Sequence, residues 1–328
     1  MAPRTQCTPF LRWALPRIGM RWAGFRKVRG QVCKRIGRRI RELGFGGFDA
    51  YRRYLEEHPE EWAVLDGLCR VTITRFHRDR GVFELLRRAV LPALAEREGE
   101  AGGDLEAIRN MEDSSCEPVL LRVWSAGCAS GEEPYTLALA EQLDPALASR
   151  GIRLHITATD ADPHLLARAR RGRYPMGALR DLPAGWVEEA FTPVLRPASD
   201  STAHVVASAD AAPTEDATPT GDPEMELDPA IRDQVVFREQ DLRREMPDGP
   251  FHLILCRNLA FTYFDEAQRR ETLARLKARL VPGGVLVLGA HETLPGEEAG
   301  SAPALGAREA ACLRRIRPGE PVYRLERR

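Results

Sequence analysis

The sequence predicts an α/β protein, a parallel sheet interleaved with helices behind an all-helical N-terminal part. Three observations predict it. Apolar residues recur every three or four positions between Phe25 and Leu43. From Leu120 onward, short apolar runs alternate with helix-like stretches, the order that builds a parallel sheet. Between Arg122 and Leu139, a buried strand joins a helix through a turn of small residues. Such turns receive nucleotide-like cofactors at the carboxyl edge of open sheets.

Each element has its own signal. Val28, Val32, Ile36, Ile40 and Leu43 mark one face of an amphipathic helix, with Arg and Lys between them. Gly44, Gly46 and Gly47 stop it. Further helices are expected at residues 49–57, 60–69 and 83–94. Residues 1–95 then form a basic helical domain, and a Gly/Glu-rich linker covers residues 96–117. The second domain, residues 118–328, should carry strands at 120–125, 155–159, 235–239, 251–256 and 285–289. Helices are expected at 133–143, 163–170 and 265–280, the last opened by Asp265 with Gln268. A hairpin of residues 310–317 and 321–326 closes the chain. Residues 196–226 are rich in Ala, Ser, Thr, Asp and Pro and have almost no large apolar groups, which predicts a disordered insertion.

Composition excludes more than it identifies. The 328 residues include 48 basic and 48 acidic ones, so overall charge points to neither nucleic acid nor membrane. The basic residues are uneven, with 14 Lys/Arg against 2 acids, Glu42 and Asp49, in residues 1–53. Such an end suits an acidic surface. The cysteines, 7 in number, form no Cys-x-x-Cys pair, so neither a disulfide framework nor a zinc site is expected. A reducing compartment, the cytoplasm, fits that pattern. Arg12, Pro16, Arg17 and Arg21 interrupt the N-terminal apolar residues, leaving no leader-like core. No run of about 20 apolar residues is present to span a bilayer.

Four segments converge at the carboxyl ends of the expected strands. They are the small-residue turn with Gly127 and Glu133, Asp160, the Asp241-Leu242 pair, and Arg257-Asn258. Ala126, Gly127, Ala129, Ser130 and Gly131 let the backbone come close to a ligand. Asp160 stands one βαβ unit later, about 30 residues on, where an acid can accept both hydroxyls of a ribose. No Gly-x-Gly-x-x-Gly is present, which argues for an adenosine cofactor other than a nicotinamide dinucleotide. A polar connector, residues 71–79, precedes the sheet.

These motifs together resemble the chemotaxis-receptor glutamate O-methyltransferases, the CheR family. The resemblance rests on Thr-x-Thr-x-Phe-x-Arg at residues 72–78 and on the run Arg-Val-Trp-Ser-Ala-Gly-Cys-Ala-Ser-Gly-Glu-Glu-Pro-Tyr at 122–135. It also rests on Ala-Thr-Asp-Ala-Asp at 158–162, Leu-Cys-Arg-Asn at 255–258 and Tyr-Phe-Asp at 263–265. It implies a Rossmann-like class I methyltransferase sheet with an N-terminal helical domain. The implied cofactor is S-adenosyl-L-methionine, leaving S-adenosyl-L-homocysteine. The implied reaction is methyl transfer to glutamate carboxylates of a chemoreceptor-like protein, through an acidic helical region met by the basic N-terminal helix. A monomer is expected, with neither nucleic acid nor membrane insertion.

The implied cofactor contacts are Thr72, Thr74, Arg78, Gly127, Glu133, Asp160, Asp241, Leu242, Arg257 and Asn258, with Arg78 and Tyr263 at the chemistry. The chain departs from the family pattern at several places. Thr72 and Asp241 stand where Asn is usual, and His77 where a second Phe is usual. Four residues rather than three separate Asn258 from Tyr263. The insertion 196–226 falls where the family carries a small receptor-engaging β-subdomain. Two alternatives stay open on the residues alone: the same fold acting on another acceptor, and a non-catalytic cofactor-binding signalling domain.

Overall fold

A computed structural model describes residues 4–72, 74–102, 118–194, 223–297 and 313–326. The N-terminal part is helical throughout: α1 (Arg4–Ala14), α2 (Trp22–Phe25), α3 (Arg29–Glu42), α4 (Phe48–Glu57) and α5 (Glu61–Cys69). Helix α3 buries Val32, Ile36 and Ile40, the stripe that its periodicity foretold. Glu61 is buried and takes two hydrogen bonds from the Arg39 guanidinium at 2.9 and 2.7 Å and one from the Tyr51 hydroxyl at 2.8 Å. Arg35 donates to the carbonyls of Leu68 and Arg70. Two of the basic residues of α3 therefore hold the domain together, whereas Lys34 and Arg41 stay exposed.

Two expectations fail in this region. Helix α1 was not foreseen, because Pro9 and interspersed arginines mask its periodicity. Its Cys7 forms a disulfide with Cys33 on α3, across a Cα–Cα separation of 6.0 Å. That pairing corrects the expectation of no disulfide. It depends on two helices packing 26 residues apart in sequence, which cysteine spacing does not reveal.

The chain continues through α6 (Arg80–Leu85), a single wider turn at Leu86–Val90, and α7 (Leu91–Gly102). The first seven residues of the expected linker, 96–102, are thus helical, and residues 103–117 lie outside the described residues. Then follow β1 (Val119–Ala126), α8 (Glu132–Leu143), α9 (Pro145–Ala148), β2 (Ile152–Asp160) and α10 (Pro163–Arg171). Next come β3 (Arg173–Pro175), α11 (Met176–Leu179), α12 (Trp186–Ala190), β4 (Phe191–Pro193), β5 (Glu224–Leu227) and α13 (Pro229–Arg232). The last stretch holds β6 (Val235–Glu239), β7 (Phe251–Leu255), α14 (Ala260–Tyr263), α15 (Glu266–Lys277), β8 (Leu280–Val287), β9 (Leu313–Arg315) and β10 (Val322–Leu325). The Asp265 carboxylate caps α15 by accepting from the Gln268 N–H at 2.9 Å.

Seven strands form one sheet in the order β6-β2-β1-β7-β8-β10-β9. The five from β6 to β8 are parallel, and β10 and β9 run antiparallel at the edge. Strand order reverses at β1, which has β2 on one side and β7 on the other. A crevice at such a switch point is where open α/β sheets bind ligands. Side chains alternate between two cores. Leu121, Val123, Leu253, Leu255 and Val285 face the layer of α6–α8. Trp124, Ile254, Leu286 and Leu288 face the N-terminal helices and α15. Burial on both faces explains why β7 is apolar at every position but the buried His252.

A second, three-stranded antiparallel sheet has the order β3-β5-β4. It corrects the insertion boundary, since residues 224–226 belong to β5 and pair with both neighbours. Met225 and Leu227 are buried there. A small β-sheet is therefore present at this place, and the polar composition upstream conceals it. Residues 196–222 of the expected insertion lie outside the described residues.

Candidate active site

The carboxyl ends of β1, β2, β6 and β7 open into one cleft, capped by the connector after α5 and by α14. It holds about 1110 Å³ of unfilled space, part of it open to solvent. Every expected site residue lines it: Thr72, Thr74, Arg78, Gly127, Glu133, Asp160, Asp241, Leu242, Arg257, Asn258 and Tyr263.

The turn after β1 is fixed against β2. The N–H groups of Gly127 and Cys128 both donate to the Thr159 carbonyl, at 2.8 and 3.0 Å. Gly127 has φ +80°, and a Cβ there would stand 2.3 Å from Leu259 Cδ2. Only glycine satisfies both demands. The next turn residues reach Asp160. Its Oδ2 accepts from the Ala129 N–H at 2.9 Å and its Oδ1 from the Asp162 N–H at 3.0 Å. Burial pushes the Asp160 carboxyl above its ordinary value, and these two N–H groups partly offset that. Each oxygen keeps a lone pair for a further donor.

Opposite lies a charged floor. Ser125 donates to Glu133 Oε1 at 2.7 Å, and Arg257 donates to Glu133 Oε2 at 2.9 Å. Arg257 also donates to the Arg78 carbonyl at 2.6 Å and to Asp79 Oδ2 at 2.8 Å. Its side chain is 2% exposed and stacks 5.0 Å from the Phe83 ring centroid. Arg257 thus clamps the connector that carries Arg78 onto the sheet. Within that connector His77 and Asp79 adopt left-handed backbone, with φ 53° and 61°. His77 is buried, its Nδ1 is 2.9 Å from the Asp181 carbonyl, and burial lowers its imidazole below the ordinary value. Thr74 hydrogen-bonds Glu132, whose carboxyl is pushed up to about 7 by burial.

The flank beyond β6 joins both halves of the chain. Arg243 binds Asp66 of α5 at 2.7 and 2.6 Å and Asp241 at 3.0 and 2.7 Å. Burial raises the Asp241 carboxyl, but the Arg243 hydrogen bonds outweigh it and leave the group below the usual range. Arg70 reaches the Ala161 carbonyl at 2.6 Å. Sequence inspection missed Asp66, Arg70 and Arg243, because the contact joins segments 177 residues apart.

Tyr263 stands at the far wall. Its ring meets Phe25 edge-on at 5.0 Å, and its carbonyl accepts from the Arg21 N–H at 2.8 Å. Burial raises its phenol above the ordinary value, while the nearby Arg78 guanidinium acts in the opposite direction. Tyr263 ends α14 and lines the cleft.

The cleft suits S-adenosylmethionine. A half-buried carboxylate at the end of β2 can take the two hydroxyls of a ribose, and Gly127 permits close backbone approach. Leu165, Leu242 and Phe264 offer apolar walls for a flat ring. Comparison with known proteins agrees. Residues 72–207 and 214–309 match the CheR methyltransferase SAM-binding domain, and residues 27–65 match the CheR all-alpha domain.

The chain belongs to the CheR methyltransferase family.

Its relatives include a probable chemotaxis protein methyltransferase of Rhizobium etli, 30% identical over 270 residues, covering 81% of this chain and 85% of that protein. The Escherichia coli chemotaxis protein methyltransferase is 28% identical over 269 residues, covering 80% and 76%. This CheR-family chain is an S-adenosylmethionine-dependent methyltransferase. Among the described residues, no helix is long and apolar enough to cross a membrane, and no group of His, Cys, Asp and Glu could hold a metal ion.

Proposed function

We propose that the chain methylates glutamate side-chain carboxylates in an acidic helical region of a chemoreceptor-like protein. The observation that carries this reading is the cleft itself: one cavity shared by Asp160, Arg78 and Tyr263, roofed by a basic helical domain. Bound S-adenosylmethionine supplies an electrophilic methyl on a sulfonium.

A glutamate acceptor is ionised at neutral pH, with an ordinary pKa of about 4.3, and needs no general base. The residues therefore have to place a carboxylate oxygen in line with the methyl and exclude water. Asp160 holds the ribose, Asp241 and Leu242 flank the adenine, and Gly127 lets the chain pass close to the cofactor. Thr72 and Thr74 lie along the connector wall, and Asn258 approaches from the end of β7. Glu133 and Arg257 act as the rigid floor, since their charged atoms already bind each other. Arg78 orients the acceptor carboxylate, a task suited to a guanidinium fork. Tyr263 forms the wall beside the methyl and stays protonated there. Attack neutralises two charges, so a pocket that solvated the carboxylate strongly would slow the step. The apolar neighbours Phe25 and Phe264 meet that requirement.

The domain division proposed is a helical unit up to residue 95 and a catalytic unit from residue 118, acting as a monomer; the Cys7–Cys33 disulfide removes the cysteine argument for a reducing compartment. Exposed Lys27, Lys34 and Arg41 support docking of an acidic helix on α3 and the turn before it. The deciding experiment is transfer of radiolabelled methyl from S-adenosylmethionine to chemoreceptor-bearing membranes. Base-labile label on the receptor is expected. Label only on other proteins would overturn the acceptor, and cofactor binding without turnover would overturn the reaction.

A further inference from the structure

Glu292 lies outside the cleft lining and outside the segments 72–78, 122–135, 158–162, 255–258 and 263–265 on which the family resemblance rests. Yet its carboxylate is 5% exposed and meets three separate segments. Oε2 accepts from the Asn258 N–H at 2.8 Å and from the Gly289 N–H at 2.7 Å. Oε1 accepts from the Thr262 hydroxyl at 2.6 Å. One buried group therefore holds the end of β7, the turn after β8 and the short helix α14. Asn258 sits in left-handed backbone at φ 55°, a conformation that costs a non-glycine residue energy unless its surroundings impose it. Gly289 leaves the room: a Cβ there would stand 2.8 Å from Asn258 Oδ1 and 2.9 Å from Glu292 Oε2.

Asn258 and Tyr263 are the two cleft residues that this knot locates, one directly and one through its neighbour Thr262. Helix α14 is a single turn and has little rigidity of its own. A further anchor is Arg21, the residue before α2, which donates to the carbonyls of Phe261 and Thr262 at 2.7 and 3.0 Å. We propose that Glu292 is a positioning residue for methyl transfer, setting where Asn258 and Tyr263 stand against the methyl-bearing end of the cofactor. This rests on the reading of the cleft given above.

The test compares Glu292→Ala, Glu292→Gln and Thr262→Val. A glutamine oxygen can accept from both N–H groups while its NH₂ donates to the Thr262 hydroxyl. Glu292→Gln should therefore keep most of kcat. Glu292→Ala should lower kcat by about 100-fold, the cost of misplacing a reacting group by about 1 Å, with a much smaller change in S-adenosylhomocysteine affinity. Thr262→Val removes one hydrogen bond at nearly constant shape and keeps the fold if Glu292→Ala loses it. It should lower kcat without altering cofactor affinity.

A readout independent of acceptor is amide hydrogen exchange across residues 258–264 in the S-adenosylhomocysteine complex. Exchange should quicken in Glu292→Ala and Thr262→Val but not in Glu292→Gln. Unchanged kcat and exchange in folded Glu292→Ala or Thr262→Val would overturn the proposal, as would Glu292→Gln behaving like Glu292→Ala. Wild-type protein that does not bind S-adenosylhomocysteine would instead overturn the reading of the cleft, and the proposal with it.

Discussion

Asp160→Ala is the sharpest perturbation of the cofactor site. Two ribose hydroxyls donating to a carboxylate make charge-assisted bonds of about 1.5–3 kcal/mol each. Their joint loss amounts to roughly 3–6 kcal/mol, or about two to four decades in dissociation constant. Stability should change less. The Ala129 and Asp162 N–H groups lose their acceptor, at about 1–3 kcal/mol each if left dry. Removing a carboxylate whose burial opposes its charge offsets part of that cost. Calorimetric titration with S-adenosylhomocysteine, beside thermal melting with and without ligand, separates the two effects. The mutant should melt cooperatively and gain little stability from ligand. Undiminished affinity in a folded Asp160→Ala protein would refute the ribose assignment. The pH dependence gives a second check. The ionised carboxylate accepts both hydroxyls, so affinity should fall on acidification through the Asp160 pKa, which lies above the usual aspartate value. Asp160→Asn should lack that inflection.

Other perturbations probe neighbouring parts. Arg78→Ala should lower kcat/KM by about 10²-fold or more, as removing a positioned charge does, with little change in melting temperature; equal turnover would take Arg78 out of the mechanism. Arg243→Leu strips Asp241 of its Arg243 guanidinium hydrogen bonds and leaves Asp66 with only the 3.7 Å ion pair to Arg70; it should cost about 2 kcal/mol in denaturant unfolding, together with weaker S-adenosylhomocysteine binding, and loss of neither would make the network incidental. Arg39→Glu should destabilise the helical domain because it faces buried Glu61, whereas Lys34→Glu with Arg41→Glu should weaken acidic-substrate binding and spare the fold. Receptor affinity that ignores the latter pair would count against α3 as the docking face. Glu61 is held below the ordinary glutamate value by its Arg39 hydrogen bonds. A depressed folded-state pKa gives stability that is present above the unfolded value and lost as pH falls through the folded one. Wild type should therefore lose more stability than Glu61→Gln on acid titration below the usual glutamate range, and parallel curves would refute the linkage.

Local chemistry was legible in the sequence wherever a segment determines its own conformation. Strand β6 lies where its short apolar run placed it, and Asp160 ends β2 as the Thr-Ala-Thr-Asp run implied. The eleven expected site residues share one cleft because a parallel sheet delivers successive strand ends to the same edge. The misses share a different cause. The Cys7–Cys33 link, the Arg243 bridge to Asp66 and the Glu292 knot each join segments far apart in the chain. Periodicity and turn chemistry carry no information about which helix lies across which strand. The small sheet was missed for a related reason, since Glu224–Leu227 has only two apolar residues and gains its strand conformation by pairing on both sides. The expected motifs therefore supply the groups that meet the cofactor, while the long-range contacts hold those groups in place. Asn258 belongs to both sets: its identity was visible in an Arg-Asn pair, and its left-handed backbone, which asparagine adopts more readily than most residues, is held by a glutamate 34 residues away.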